Sequence, residues 1–155
     1  MPEPAPSEPI YHCALVSDWT AALSAGEYAI SSRGRTLADE GFVHASYAGQ
    51  VAGVLQRFYR DVTEPMCLLT IVTELLGVPV VAENLHGGAE RFPHIYGPVP
   101  LAAVTAVTEL VRDDRTGWRQ QTVLDFGPAQ DWDPGTKCCI QDGAGPARLT
   151  PRAGP

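Results

Sequence analysis

The chain has 155 residues, of which 45% are hydrophobic and 19% are charged, and its formal net charge is −7. This length and composition are typical of one globular domain with a real core and are short for two domains. The acidic balance argues against a nucleic-acid interface, which needs clustered lysine and arginine, and no apolar run of about 18 residues is present to span a membrane.

The two ends of the chain differ from its middle. Residues 1–9 contain four prolines and two glutamates, and they predict a disordered lead-in without the basic and apolar regions of a signal peptide. Residues 127–155 are rich in glycine and proline, and we expect them to be loose or weakly docked. The predicted folded domain therefore spans residues 10–126, and its expected location is the cytoplasm.

The cysteines agree with a reducing compartment. Cys13 and Cys67 lie in apolar runs and are expected to be reduced core residues. Cys138 and Cys139 are adjacent and lack the CxxC spacing of zinc or redox sites.

The first half of the chain alternates between strand and helix patterns. IYHCALV, residues 10–16, predicts a strand, and SDWTAALSAG, residues 17–26, predicts a helix that Ser17 caps and Gly26 ends. Residues 27–40 are expected to be loop-like with a short extended piece. GFVHASY, residues 41–47, predicts a strand whose alternation puts Phe42, His44 and Ser46 on one face.

The second half supplies one more helix and most of the strands. In AGQVAGVLQRFYRD, Val51, Val54, Leu55 and Phe58 fall at i, i+3, i+4 and i+7, which predicts an amphipathic helix. MCLLTIV is continuously apolar and predicts a central strand covered on both faces. Further strands are predicted at VPVVAEN, AAVTAVTELV and QQTVLDF. Two early helices with five to seven short strands predict a single α+β domain.

Histidine is the residue type most suggestive of chemistry. His12 and His44 lie in predicted strands, and His94 lies in GGAERFPHIYGPVP, a stretch stiffened by prolines and expected to form a rigid corner without a long strand. Each imidazole taken alone is compatible with a satisfied core residue, whereas three in one small domain predict a shared cleft. No HxH or HExxH spacing is present, so a metal site is not expected.

Charged and aromatic residues near these histidines are candidates for substrate contact. Arg33 and Arg35 in SSRGRT form either a solvated turn or a clamp for an anionic group. Glu83 is the carboxylate most expected to point into a cleft, and either Glu83 or Glu90 could pair with Arg91. Phe92 and Tyr96 are core residues by default but could stack on a flat heterocycle.

The order of these segments resembles a bacterial family known as domain of unknown function 952. The resemblance covers residues 10 to about 108 and is carried by IYHCAL, LADEGFVHAS, QVAGVLQRFY and GGAERFPHIYGPVPLAAV. It implies a fold similar to that of the ADP-ribosyltransferases: split, strongly curved antiparallel sheets with a nicotinamide dinucleotide cleft between them.

The resemblance also implies roles for individual residues. His12 matches the strand-1 residue that holds a ribose, and His44 with Ser46 matches the strand that shapes the nicotinamide pocket. Either Glu83 or His94 matches the third catalytic role. Tyr47 stands where relatives usually have threonine, and in the cleft it would narrow the pocket.

Three functions follow as hypotheses. The first is an ADP-ribosyltransferase-like or NAD-processing enzyme, with NAD as a candidate substrate and no required cofactor. The second is a repurposed biosynthetic enzyme that applies histidine acid–base catalysis to a small molecule. The third is a ligand-binding module without catalysis. The expected partner is a small-molecule or nucleotide substrate rather than nucleic acid or a membrane, and the sequence leaves the oligomeric state open.

Overall fold

The computed structural model describes residues 8–85, 88–115 and 117–120. The helices are α1 (Val16–Ala25), α2 (Leu37–Glu40) and α3 (Val51–Phe58), with 3₁₀ turns at Ala48–Gln50, Thr73–Leu75 and Leu101–Ala103. The strands are β1 (Ile10–Leu15), β2 (Glu27–Tyr28), β3 (Ile30–Ser32), β4 (Arg35–Thr36), β5 (Val43–His44), β6 (Met66–Ile71), β7 (Val80–Glu83), β8 (Phe92–Ile95), β9 (Val99–Pro100), β10 (Val104–Asp113) and β11 (Gly117–Gln120). The predictions for residues 121–126 and for Cys138 and Cys139 lie outside the described residues.

The largest sheet is antiparallel and has the strand order β1-β6-β10-β11. Strand β6 lies inside it, and Met66, Leu68 and Leu69 are almost completely buried, which confirms the central strand predicted from the apolar run. Cys13 and Cys67 are buried free thiols, as predicted. None of the described helices is long and apolar enough to cross a bilayer.

Helix α1 packs Trp19 and Ala22 into the core and ends at Gly26, whose φ of 90° is the left-handed conformation that favours glycine. The predicted N-cap was wrong. Strand β1 runs directly into the helix, so Leu15 occupies the cap position without a side-chain hydrogen bond and Ser17 lies within the helix.

Residues 27–40 are more ordered than the predicted loop. Strand β2 pairs with β9, and β3 pairs with β4. A one-turn helix, α2, follows. The prediction of two early helices therefore missed one helix. Thr36 Oγ1 accepts a hydrogen bond from the Asp39 backbone N–H, and the Asp39 carboxylate accepts one from the Thr36 N–H. This reciprocal capping box was visible in TLAD as a threonine followed three residues later by an acid.

A second antiparallel sheet has the order β5-β8-β7. The FPHI segment of the proline-rich corner is its middle strand, a short strand of four residues that was not predicted. In this sheet His44 is the register partner of His94. Backbone hydrogen bonds between Tyr11 and Ser46, at 2.8 and 2.7 Å, join the first sheet to the chain just after β5.

Helix α3 packs against one face of the larger sheet, where its buried residues share a cluster with Cys13, Leu68, Leu110 and Trp118. Val51 and Leu55 are buried as predicted, but Phe58 at the end of the same stripe is 59% exposed. The indole N–H of Trp118 donates to the carbonyl of Tyr59 at 2.9 Å, which ties the end of α3 to β11. The fold is thus a single α+β domain with a curled antiparallel sheet and few helices.

Candidate functional site

A cleft of about 400 Å³ opens where β1 and the β5 segment run side by side, and we call it the histidine cleft. His12, His44 and His94 all line it. The other lining residues are Tyr11, Cys13, Ser32, Arg33, Glu40, Ala45, Ser46, Val54, Phe58, Tyr59 and Phe92. The three histidines therefore line one cleft, as predicted.

His12 is engaged at both ring nitrogens. Its Nδ1–H donates to the carbonyl of His44 at 2.5 Å, and its Nε2 accepts from the Tyr28 hydroxyl at 2.8 Å. The side chain is only 3% exposed, and this burial lowers its pKa to about 4. His12 is therefore neutral near pH 7, and its contacts fix the backbone of His44.

His44 lies partly exposed at the mouth of the cleft. Its Nε2 is 3.8 Å from a carboxylate oxygen of Glu40, four residues earlier in the chain. Its ring meets the ring of Phe42 edge-on, with centroids 4.8 Å apart. The ring of His94 lies 5.1 Å away in a similar T-shaped arrangement. Two imidazoles are thus adjacent on paired strands.

His94 is 2% exposed and is held from two directions. Its Nδ1–H donates to the Glu83 carboxylate at 2.9 Å, and its ring stacks on Phe42 at a centroid distance of 4.2 Å. The Tyr96 hydroxyl donates to the same Glu83 oxygen at 2.5 Å. The bonds from Tyr96 and His94 lower the pKa of Glu83, so the carboxylate is ionised at neutral pH and orients the imidazole.

The candidate substrate contacts divide into two groups. Ser46, Arg33 and Phe92 line the histidine cleft, and Arg33 also forms an exposed ion pair with Asp61 at 2.8 Å. The remaining candidates are absent from the cleft lining. Arg35 pairs with Glu40 at 3.4 Å, Tyr47 packs against the main core, Tyr96 binds Glu83, and the carbonyl of Arg91 accepts from Gln50.

The two glutamates predicted as partners of Arg91 have contacts with other side chains. Glu90 pairs with Arg57 at 3.2 Å, whereas Glu83 binds His94 and Tyr96.

The sequence did not single out Glu40, Tyr28 or Tyr59 as site residues. Glu40 is separated from His44 by the Gly41 turn, and nothing in its spacing indicates that its carboxylate returns to the imidazole. Tyr28 comes from a two-residue strand of no pronounced pattern. The sequence pattern nearest to these residues was the capping box that ends at Asp39, next to Glu40, and it could have drawn attention to this turn.

The described residues do not favour catalysis by a nucleophilic cysteine or by a metal ion. Cys13 lines the cleft, but burial raises the pKa of its thiol to about 12, so it is not a thiolate near pH 7. Nowhere in residues 8–85, 88–115 and 117–120 do three or more His, Cys, Asp or Glu side chains come together in a way that could hold a metal ion.

Comparisons with known proteins agree with this architecture and name no activity. The crystal structure of protein CC0527 from Caulobacter crescentus is 29% identical, with a TM-score of 0.61 over 72% of this chain and 93% of that one. Its solution NMR structure gives a TM-score of 0.53 at 27% identity, over 70% of this chain and 90% of that one. No curated protein matches the chain. The family model described as "Protein of unknown function (DUF952)" matches residues 14–107, and the chain belongs to that family.

Proposed function

We propose that the chain is an enzyme that binds NAD or a related nucleotide in the histidine cleft and transfers its ADP-ribosyl group, as an ADP-ribosyltransferase-like fold would imply. The observation that carries the proposal is the convergence of His12, His44 and His94 on one cleft of about 400 Å³. Ligand sites of small molecules and cofactors have volumes of roughly 300–1,000 Å³, so the cleft can hold at least the nicotinamide–ribose end of the dinucleotide.

The walls of the cleft suit such a ligand. Tyr11, Phe58, Tyr59 and Phe92 offer aromatic faces on which a flat heterocycle can stack. Arg33 contributes a guanidinium to the cleft lining. The side chain of its partner Asp61 is 74% exposed. Because exposed ion pairs contribute little free energy, a phosphate can replace Asp61 at the guanidinium at small cost.

The proposed step breaks the bond between C1′ of the ribose and the nicotinamide nitrogen. Nicotinamide leaves as a neutral molecule with the electron pair of that bond, and the acceptor forms a new bond to C1′. The proton lost by the acceptor passes to Nε2 of His94, because Nδ1–H is held by Glu83. The carboxylate of Glu40, which lines the cleft, favours the positive charge that develops on the ribose.

His12 has a positioning role in this scheme. Its two ring nitrogens are engaged and its pKa is about 4, so it holds the His44 backbone rather than moving protons near pH 7.

Calorimetry and nicotinamide release test the proposal. We expect the wild-type chain to bind NAD and to release nicotinamide, and we expect His94→Gln to keep binding within about threefold while losing turnover by about 100-fold. Asp114→Asn, an exposed change in a turn, serves as the matched control and should behave as wild type. Absence of NAD binding to the folded wild-type chain would refute the proposal.

A second candidate function is acid–base catalysis on a small organic molecule without NAD. It is favoured by the adjacent His44 and His94 rings, each with a glutamate partner, because one imidazole can remove a proton while the other supplies one. Turnover of such a molecule with a bell-shaped pH dependence, and no calorimetric signal from NAD, would select it over ADP-ribosyl transfer. A non-catalytic module would instead lose only stability when these histidines are replaced.

A further inference from the structure

A second cavity, of about 490 Å³, shares part of its wall with the histidine cleft. Phe58, Phe92 and His94 line both cavities. His94 is thus the one member of the histidine set that lies in the shared wall, and its partner Glu83 lines the second cavity only. Two ligands bound side by side would both reach this imidazole.

The second cavity has an apolar surface open to solvent. Phe58 is 59% exposed and Leu85 is 55% exposed, and both line it together with Ala89. Large apolar side chains left in water at a concave surface are typical of a binding site. The position of these apolar side chains in the lining of the second cavity favours a ligand with a large apolar group.

The charges around the second cavity restrict the ligand further. Glu83 and Glu90 contribute two carboxylates, and Arg57 contributes one guanidinium that is already paired with Glu90 at 3.2 Å. The net charge of this lining is negative, so an anionic ligand is disfavoured and a neutral or cationic one is favoured.

We propose that the second cavity is the acceptor site of the transfer reaction and takes a neutral or cationic small molecule with an apolar ring and a hydroxyl or amino group. This inference rests on the proposed function. The acceptor's oxygen or nitrogen bonds to C1′ of the ribose held in the histidine cleft, its proton passes to His94, and nicotinamide leaves with the electrons of the broken bond. A cationic amine reacts as its neutral form after losing one proton to water.

Three probes of similar shape and different charge test the site: benzylamine, benzyl alcohol and benzoate. Binding to the full chain is measured by NMR titration, with and without NAD. Ala89→Trp fills the second cavity from an exposed position, and Ser32→Trp fills the histidine cleft from a position that lines only that cleft. Circular dichroism checks that both variants remain folded.

We expect benzylamine and benzyl alcohol to bind at least tenfold more tightly than benzoate. Ala89→Trp should weaken benzylamine at least tenfold and leave NAD binding within twofold, and Ser32→Trp should do the reverse. Benzylamine binding that is unchanged by Ala89→Trp, or benzoate that binds as tightly as benzylamine, would overturn the inference. If benzylamine binds in an Ala89-dependent manner while NAD does not bind the wild-type chain, the cavity remains a ligand site and the transfer function fails.

Discussion

The three histidines of the cleft differ in how their ring nitrogens are engaged. His12 is neutral and bonded on both sides, to the His44 carbonyl and the Tyr28 hydroxyl. His94 is oriented by an ionised carboxylate, and His44 has its carboxylate partner at the longer distance of 3.8 Å. Since a buried imidazole bonded on both sides cannot readily exchange protons, the proposed mechanism gives His12 a positioning role and His94 the proton transfer.

His12→Gln tests the cost of the buried neutral imidazole. Its pKa falls from about 6.5 when unfolded to about 4 when folded, so between these values only the unfolded chain takes up the proton. Wild-type stability should therefore fall by about 3 kcal/mol as the pH drops through this window. The variant should lack that part of the pH dependence. Urea unfolding of both chains at several pH values measures it, and parallel pH profiles would contradict it.

Glu83→Gln tests the carboxylate that orients His94. The variant should lose about 1–2 kcal/mol of stability at neutral pH, because two hydrogen bonds to an ionised acceptor become bonds to a neutral amide. The folded pKa of Glu83 is lowered, so its contribution is present above the ordinary glutamate pKa and is lost as the pH falls through the lowered value. Urea unfolding should show the difference between the two chains shrinking as the pH falls below the ordinary glutamate pKa. A difference independent of pH would argue against an ionised Glu83.

At the scale of elements, the site depends on the short pairing of β5 with β8, which sets His44 opposite His94. Alternation in GFVHASY predicted one face for Phe42, His44 and Ser46. His44 and Ser46 do line the cleft, whereas Phe42 does not and Ala45, expected on the other face, does. The strand character of FPHI was missed because Pro93 lacks an N–H and argues against a middle strand. That proline is tolerated because β5 ends at His44, and the Pro93 carbonyl still accepts from the Ala45 N–H at 3.0 Å.

Gly97→Ala tests how closely the chain after β8 packs on the segment before β7. An added Cβ would lie 2.6 Å from Cγ1 of Val78 and 2.9 Å from its Cβ, which is too close for any side-chain atom. We expect a loss of about 1–3 kcal/mol in thermal or urea unfolding. Val78→Ala in the same chain removes the Cγ1 contact and keeps the Cβ contact, so it should recover part of this loss and make the two substitutions non-additive. Additive losses would show that the contact is not the cause.

At the scale of the whole molecule, the sequence predicted the α+β class and the central strand β6, because hydrophobic runs and periodicity depend on local neighbours. It could not predict which separate segments meet. The Tyr11–Ser46 bridge and the contact of Trp118 with Tyr59 join residues that are distant in the chain, and no local pattern encodes them.

Trp118→Phe tests the link between β11 and the end of α3. Removing the indole N–H takes away one of the two donors of the Tyr59 carbonyl, which still accepts from the Val62 N–H at 3.1 Å, and we expect a loss of about 0.5–1.5 kcal/mol. Trp118→Ala removes the ring as well and should cost about 3–5 kcal/mol, because Trp118 is only 8% exposed. Urea unfolding compares the two variants. Equal losses would mean that the hydrogen bond, not ring packing, dominates.

The most direct test of the central claim, that the histidine cleft is a catalytic NAD site, is nicotinamide release from NAD by the wild-type chain and by His94→Gln. We expect the wild-type chain to release nicotinamide and the variant to release it about 100-fold more slowly. NAD affinity should change by no more than about threefold. Equal release by both folded chains, or no NAD binding to either, would contradict it.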